Sequence, residues 1–135
     1  CALAIAGNRI MERGLGKAVS FCRTGHENLA EVVPACYHGR VSTVMFNLGY
    51  LPGGDKSRIT QEETTLSAVG QALAMLKAGG LCTVVCYPGH PGGAQEAGAV
   101  SRFVEDLDPD GYRVERHEGE NPLNNPPFLL AIEKV

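Results

Sequence analysis

Two apolar, β-branched runs in this chain each continue directly into a loop rich in glycine and proline. The runs are VSTVMF at residues 41–46 and LCTVVCY at residues 81–87, and their nearly continuous apolar character is typical of strands covered on both faces. The loops are residues 47–60 and 88–93. Between the two strands, residues 61–77 carry apolar residues at spacings of three and four, which predicts a helix. A strand, a helix and a second strand in this order predict two parallel strands.

The remaining segments repeat this alternation. Their spacing predicts further helices at residues 2–13, 27–33 and 94–107, and strands at residues 18–22, 112–117 and 128–133. Strands that alternate with helices imply a parallel α/β sheet with right-handed crossovers. No helix separates the last two strands, so the last strand is expected to be antiparallel and the one before it to lie at the edge. Ligands bind beyond the carboxyl ends of such strands, where both loops are expected.

Length and composition narrow the functional classes. A chain of 135 residues suits one domain, residues 1–135, and its net charge of −3 provides no general basic surface for nucleic acid. An RNA partner would therefore be recognised through local contacts. No apolar run approaches a membrane-spanning length, so no membrane partner is expected. Five cysteines without a CxxC pair, and four histidines without ligand spacing, predict no metal site and a reducing, cytoplasmic location.

The first loop begins Asn47-Leu48-Gly49-Tyr50, a spacing that resembles the (Asn/Asp)-Pro-Pro-(Tyr/Phe) motif of amine methyltransferases. The Asn47 side-chain oxygen and the Leu48 carbonyl can accept the N–H groups of an amine, so that its lone pair faces an electrophilic methyl group. Tyr50 can stack on a planar base or cover the cation that forms. Catalysis would then consist mainly of orientation and desolvation. The alternative is a strand end and a glycine turn in which Asn47 only caps the strand.

The same loop has a superficial likeness to a phosphate-binding loop. The string Gly49-x4-Gly54-Asp55-Lys56-Ser57 approaches the Walker A spacing, with one residue inserted before the lysine. Pro52 removes a backbone N–H donor, and Asp55 places a negative charge where a phosphate would lie. Nucleotide hydrolysis is therefore disfavoured.

Three other polar positions are candidates for the same site. His90, between Gly89 and Pro91 in the second loop, could orient a substrate, bind an RNA phosphate, accept a proton, or be held by backbone alone. Asn125, in the proline-rich connector before the last strand, could recognise a base or close a turn, and the turn is favoured. His26 could line a cofactor site or cap the next helix.

Several strings together resemble one family: TGHENL at 24–29, FNLGYLPGGDKS at 46–57, YPGHPGG at 87–93 and NNPPFLLAIEK at 124–134. They are similar to the MnmM-type (YtqB-like) methyltransferases, a small bacterial family also known as "putative rRNA methylases". The likeness extends over essentially the whole chain. It implies a Rossmann-like class I fold with an antiparallel last strand and S-adenosylmethionine as cofactor. It also implies methyl transfer to the aminomethyl group of 5-aminomethyl-2-thiouridine at the tRNA wobble position.

The resemblance assigns roles to individual residues. It implies a cofactor side formed by Gly25, His26 and Asn47, an acceptor-amine site formed by Asn47, Leu48, Gly49 and Tyr50, and substrate-binding or loop-shaping roles for Pro52, Gly53, Gly54, Asp55, Lys56, His90 and Asn125. Family members begin with a further segment that holds the first strands and the glycine-rich cofactor loop, which the chain from Cys1 is expected to lack. The expected partner is tRNA, with a second copy of the chain as another candidate. Alternatives are an rRNA or small-molecule amine substrate, or an inactive fragment.

Overall fold

The computed structural model describes residues 2–49, 61–119 and 125–135. The helices are α1 (Ala2–Glu12), α2 (Leu29–Val32), α3 (Glu62–Met75) and α4 (Gly93–Glu105), and the strands are β1 (Val41–Asn47), β2 (Leu76–Cys86), β3 (Tyr112–Glu118) and β4 (Phe128–Lys134). Short 3-10 turns occupy His26–Asn28 and Ala35–Tyr37. Within these ranges, no helix has the length and apolar character that crossing a membrane requires.

The four strands form one sheet in the order β1-β2-β4-β3. β1 and β2 are parallel, with Phe46 beside Val84 and Asn47 beside Val85. β4 is antiparallel to both β2 and β3, so β3 runs in the same direction as β1 and β2. These pairings confirm the predicted α/β sheet with an antiparallel last strand and a preceding strand at the edge. The carboxyl ends of β1, β2 and β3 lie along one side of the sheet, here called the carboxyl rim.

The two faces of the sheet have different environments, because side chains alternate between them along each strand. One face packs against α3 and α4 and is here called the covered face; its buried side chains include Phe46, Cys82, Val84, Cys86, Phe128, Leu130 and Ile132. The opposite face is here called the open face; its side chains include Met45, Thr83, Val85, Leu129 and Ala131. Met45 is 79% exposed.

Two expectations for the strands are wrong. Residues 18–22 form no strand; Phe21 is 44% exposed, and no described strand lies beside this short run to accept its hydrogen bonds. β1 is not covered on both faces, since Ser42, Thr43 and Met45 are exposed. Among the described residues, the helices α3 and α4 pack on one face of the sheet, so the apolar composition of β1 exceeds its burial there.

Helices α3 and α4 bury the apolar stripes that their spacing predicts, whereas Ile5 and Met11 of α1 are exposed. Those stripes contain Ala68, Val69, Ala72 and Leu73 in α3, and Ala97, Val100 and Val104 in α4. β2 begins earlier than predicted because Leu76 already pairs with Val41, and Gly79, at a φ of 70°, lies within the irregular register that follows. The Lys134 ammonium donates to the Leu73 and Leu76 carbonyls, which stabilises the end of α3.

Candidate functional site

The loops after β1 and β2 meet at the carboxyl rim. The Leu48 N–H donates to the Val85 carbonyl at 3.1 Å, and the Leu48 side chain is buried, so the chain beyond β1 stays attached to β2. Gly49 has a φ of 100°, in the left-handed region that favours glycine. A Cβ atom at Gly49 would also lie 3.0 Å from His90 Nε2. This contact confirms the prediction that both loops lie at one edge of the sheet.

His90 is half-buried between the two loops. Its Nδ1 lies 3.0 Å from the Pro91 carbonyl oxygen, and because that oxygen can only accept, the bond requires a hydrogen on Nδ1. A Cβ atom at Gly93 would lie 2.9 Å from the His90 ring and would collide with the Tyr87 carbonyl. Among the roles open to His90, these contacts support an architectural one, in which the ring sets the distance between the loops.

Asn47 is the last residue of β1, and it is exposed. A buried amide at this position would have needed a partner to offset its desolvation, and exposure removes that requirement. The amide is therefore accessible at the rim, while its role as an acceptor, like that of the Leu48 carbonyl, stays a prediction. The other predicted members of this site lie outside the described residues: Tyr50, Pro52, Gly53, Gly54, Asp55 and Lys56.

Gln71 of α3 fixes the turn that carries His26. Its Oε1 accepts the Ala30 N–H at 2.7 Å, and its Nε2 donates to the Glu27 carbonyl at 2.7 Å. The rings of His26 and Phe46 then meet edge to face, with their centroids 6.1 Å apart. Gln71, which lies on a different helix, thus holds His26 against the end of β1.

The three residues predicted on the cofactor side lie near the end of β1, but not on one face of the sheet. His26, which Gly25 directly precedes, contacts Phe46 on the covered face, whereas the side chain of Asn47 lies on the open face. The alternative role of His26 as a helix cap is not met, because the N-cap of α2 is Asn28 and no side-chain cap bond forms there.

Behind His26 lies a buried polar pair that sequence reasoning missed. Thr65 and Glu96, near the starts of α3 and α4, are 0% and 3% exposed, and the Thr65 hydroxyl donates to Glu96 Oε1 at 2.6 Å. His26 Nε2 lies 3.5 Å from the same hydroxyl oxygen. Since the hydroxyl hydrogen goes to Glu96, this contact needs a hydrogen on Nε2, which leaves Nδ1 of a neutral ring as an acceptor. The sequence signal was the position of Glu96 in the apolar stripe with Val100, where a charge needs a partner.

The cysteines of β2 are not reactive groups. Both Cys82 and Cys86 are fully buried on the covered face. Burial raises the pKa of the Cys82 thiol from 9.0 to about 12. Burial, followed by the negative charge of Glu96, raises the pKa of Cys86 to about 11, while Arg116 acts in the opposite direction. Both thiols are therefore protonated at neutral pH, which excludes them as nucleophiles.

Asn125 lies at a different place from Asn47 and His90. It lines a cleft of about 410 Å³ between α4 and the ends of β3 and β4 at the carboxyl rim. Its φ of 48° is in the left-handed region that asparagine tolerates in turns, which supports the turn-closing role. In the sheet, β4 is two strands away from β1 and Asn47.

Comparisons with known proteins agree with this fold. The chain matches the family model described as "Putative rRNA methylase" over residues 1–133. It is 53% identical, over 82 residues, to a protein of Arabidopsis thaliana named "tRNA (mnm(5)s(2)U34)-methyltransferase, chloroplastic". The matched region is 61% of this chain and 29% of the Arabidopsis protein.

Two solved structures are similar over 99% of the chain, which in turn spans 70% of each. One, from Clostridium thermocellum, is described as a "putative rRNA-methylase", with a TM-score of 0.91 and 36% identity. The other, from Streptococcus mutans, is described as a "putative methyltransferase" in complex with SAH, with a TM-score of 0.85 and 34% identity. The chain therefore belongs to the "Putative rRNA methylase" family and has the class I methyltransferase fold, as its sequence motifs predicted.

Proposed function

We propose that this protein is an S-adenosylmethionine-dependent methyltransferase that methylates the primary amine of 5-aminomethyl-2-thiouridine at the wobble position of tRNA. The observation that carries this proposal is the 53% identity, over 82 residues, to a tRNA (mnm(5)s(2)U34)-methyltransferase. The exposed amide of Asn47 at the end of β1 gives the proposal a chemical basis.

The chemistry needs an oriented amine more than a strong base. When bound, S-adenosylmethionine supplies a methyl group on a positively charged sulfur. The Asn47 side-chain oxygen and the Leu48 carbonyl accept the two N–H groups of a neutral primary amine, which leaves its lone pair facing that methyl group. With the cofactor bound, the amine nitrogen would take the methyl group from sulfur, S-adenosylhomocysteine would be the leaving group, and one N–H proton would pass to solvent. The contribution of the protein is mainly alignment of the reacting atoms.

The residues near the end of β1 fit the adenine end of such a cofactor. With Nε2 directed at the Thr65 hydroxyl, Nδ1 of a neutral His26 ring is an acceptor. An acceptor nitrogen suits an exocyclic amino group such as that of adenine. The adjacent Gly25 has no side chain, and the Glu27 carboxylate lies where a Cβ of Gly25 would project. His26 is held by its contact with Phe46.

The test is methyl transfer from labelled S-adenosylmethionine to tRNA that carries 5-aminomethyl-2-thiouridine. We expect Asn47→Ala to lower kcat by about tenfold or more, because the amine loses one of the acceptors that orient it. Asn47→Asp keeps an oxygen acceptor and is expected to retain more activity than Asn47→Ala. Met45→Ala, on the same strand and also exposed, is the matched control and should leave kcat within about twofold of the wild type.

The same assay separates the alternatives. Ribosomal RNA, to which the family description refers, and a panel of small amines are tested beside the tRNA. Incorporation into rRNA or a metabolite, with none into tRNA, would replace the proposed substrate. Wild-type turnover by Asn47→Ala would instead remove Asn47 from the mechanism.

We also propose that residues 1–135 act as one domain, that the protein works in the cytoplasm, and that two copies associate. Sedimentation of the purified protein tests the last of these.

A further inference from the structure

The cleft beside α4 contains a stacked arginine. The Arg116 guanidinium carbon lies 3.7 Å from the centroid of the Phe128 ring, which is itself 8% exposed. The Arg116 side chain is 45% exposed, so one side of the guanidinium plane rests on Phe128 while the side chain still reaches the open cleft. Guanidinium planes are surfaces on which unstacked RNA bases stack.

Hydrogen bonds around Arg116 favour a flat neutral ring over a phosphate. Its Nε donates to Glu118 Oε1 at 2.9 Å, and its Nη1 donates to Ser101 Oγ at 3.5 Å. The Glu118 carboxylate offsets much of the positive charge and would repel a phosphate. The same carboxylate is 66% exposed and can accept N–H groups from the edge of a base.

We propose that this cleft binds a nucleobase of the RNA substrate, stacked on Arg116 and hydrogen-bonded by Glu118. The proposal rests on the proposed function, which supplies the RNA. The cleft volume of about 410 Å³ can hold a planar ring system, and the exposed Asn125 amide offers a second polar group at its wall.

The base in this cleft is a neighbour of the acceptor nucleotide. Arg116 on β3 is separated from Asn47 on β1 by three strand spacings. The Arg116 guanidinium rests on Phe128 of β4, two spacings or roughly 10 Å from β1, and on the covered face. The Asn47 side chain lies on the open face, so one uridine does not reach both residues. The base must therefore come from an unstacked nucleotide beside the acceptor, which would make this cleft a determinant of RNA specificity.

The first test uses guanosine 5′-monophosphate as the probe and ribose 5-phosphate as the phosphate-only comparison. Binding is followed through the amide signals of Gly98 and Gly119, which line the cleft. We expect the nucleotide, but not the sugar phosphate, to shift these signals. Arg116→Lys keeps the positive charge but removes the planar guanidinium group, and it should weaken nucleotide binding by about fivefold or more. Arg116→Gln is a second variant, and thermal unfolding shows whether each variant is folded.

The matched control is Arg113→Lys, because Arg113 lies on the same strand but is 72% exposed and 3.8 Å from Glu133, outside the cleft. With tRNA as substrate, we expect Arg116→Lys to raise KM by about fivefold or more with kcat nearly unchanged, and Arg113→Lys to change neither. Equal shifts by both probes, or an Arg116→Lys variant that behaves like Arg113→Lys, would overturn the proposal. If the wild type methylates no RNA, the proposed function fails, and the nucleotide titration still decides whether the cleft binds a base.

Discussion

Side chains on the covered face and side chains on the open face of the sheet are expected to affect different properties, stability in the first case and turnover in the second. On the covered face, side chains from all four strands pack against α3 and α4, and Val84 and Ile132 are fully buried. On the open face, Met45 is 79% exposed and Leu129 is only half-buried. Asn47 lies at the rim, on a strand whose packing in the described part of the chain is on the covered face. The comparison teaches that substitutions on the covered face should change the free energy of unfolding, whereas those near the tip of β1 should change turnover.

The largest expected difference is between two neighbouring leucines of β4. Leu130 is 2% exposed on the covered face, and Leu129 lies on the open face. We expect Leu130→Ala to lower the free energy of unfolding by about 2–5 kcal/mol, because it removes buried methyl groups and leaves a cavity. Leu129→Ala should lower it by less than about 2 kcal/mol. Urea unfolding of both variants measures the difference, and equal losses would show that the two faces are equally packed in solution.

A smaller effect is expected from the buried polar pair at the start of the helices. Thr65→Val preserves the side-chain shape but removes the hydroxyl that donates to Glu96 at 2.6 Å. We expect a loss of about 1–3 kcal/mol in the free energy of unfolding, since a buried carboxylate loses a hydrogen bond. Thr64→Val, which removes a bond to the Gln61 carbonyl nearer the surface, is the control and should stay within about 1 kcal/mol. If the two valine variants are equally stable, the buried bond adds no more stability than the surface one.

The parts of the fold that the sequence predicted are those that depend on local spacing. The stripe of α3 and the apolar runs of β2 and β4 are properties of each segment, and the connections between them determine the strand directions. The two errors, residues 18–22 and the second face of β1, concern which neighbour lies beside a strand. An apolar run shows that a segment can be buried, but it does not show what buries it.

The candidate site divides in the same way. The meeting of Gly49 and His90 followed from the rule that loops after parallel strands share a rim. The contact between Thr65 and Glu96 joins residues 31 positions apart on different helices, and no spacing rule predicts it. The stacking of Arg116 on Phe128 likewise depends on the antiparallel pairing of β3 with β4. Sequence patterns therefore predicted that the two loops share the carboxyl rim. The contacts of Thr65 with Glu96 and of Arg116 with Phe128 depend instead on how whole helices and strands pack.

A further expected effect is a pH dependence that arises from the buried thiols of the covered face. Burial raises the pKa of Cys82 to about 12 and that of Cys86 to about 11, against 9.0 for an unperturbed thiol. Above pH 9 the unfolded chain loses these thiol protons while the folded chain keeps them, so unfolding releases protons and stability falls as pH rises. The contribution is fully present below pH 9 and is lost as pH rises through about 11 for Cys86 and about 12 for Cys82. Urea unfolding at pH 8 and pH 10 should show a steeper loss for the wild type than for the Cys82→Ala/Cys86→Ala variant. The exposed Cys22 and Cys36, replaced by serine, should leave the slope unchanged. A slope that survives removal of both buried thiols would mean that alkaline destabilisation arises elsewhere than on the covered face.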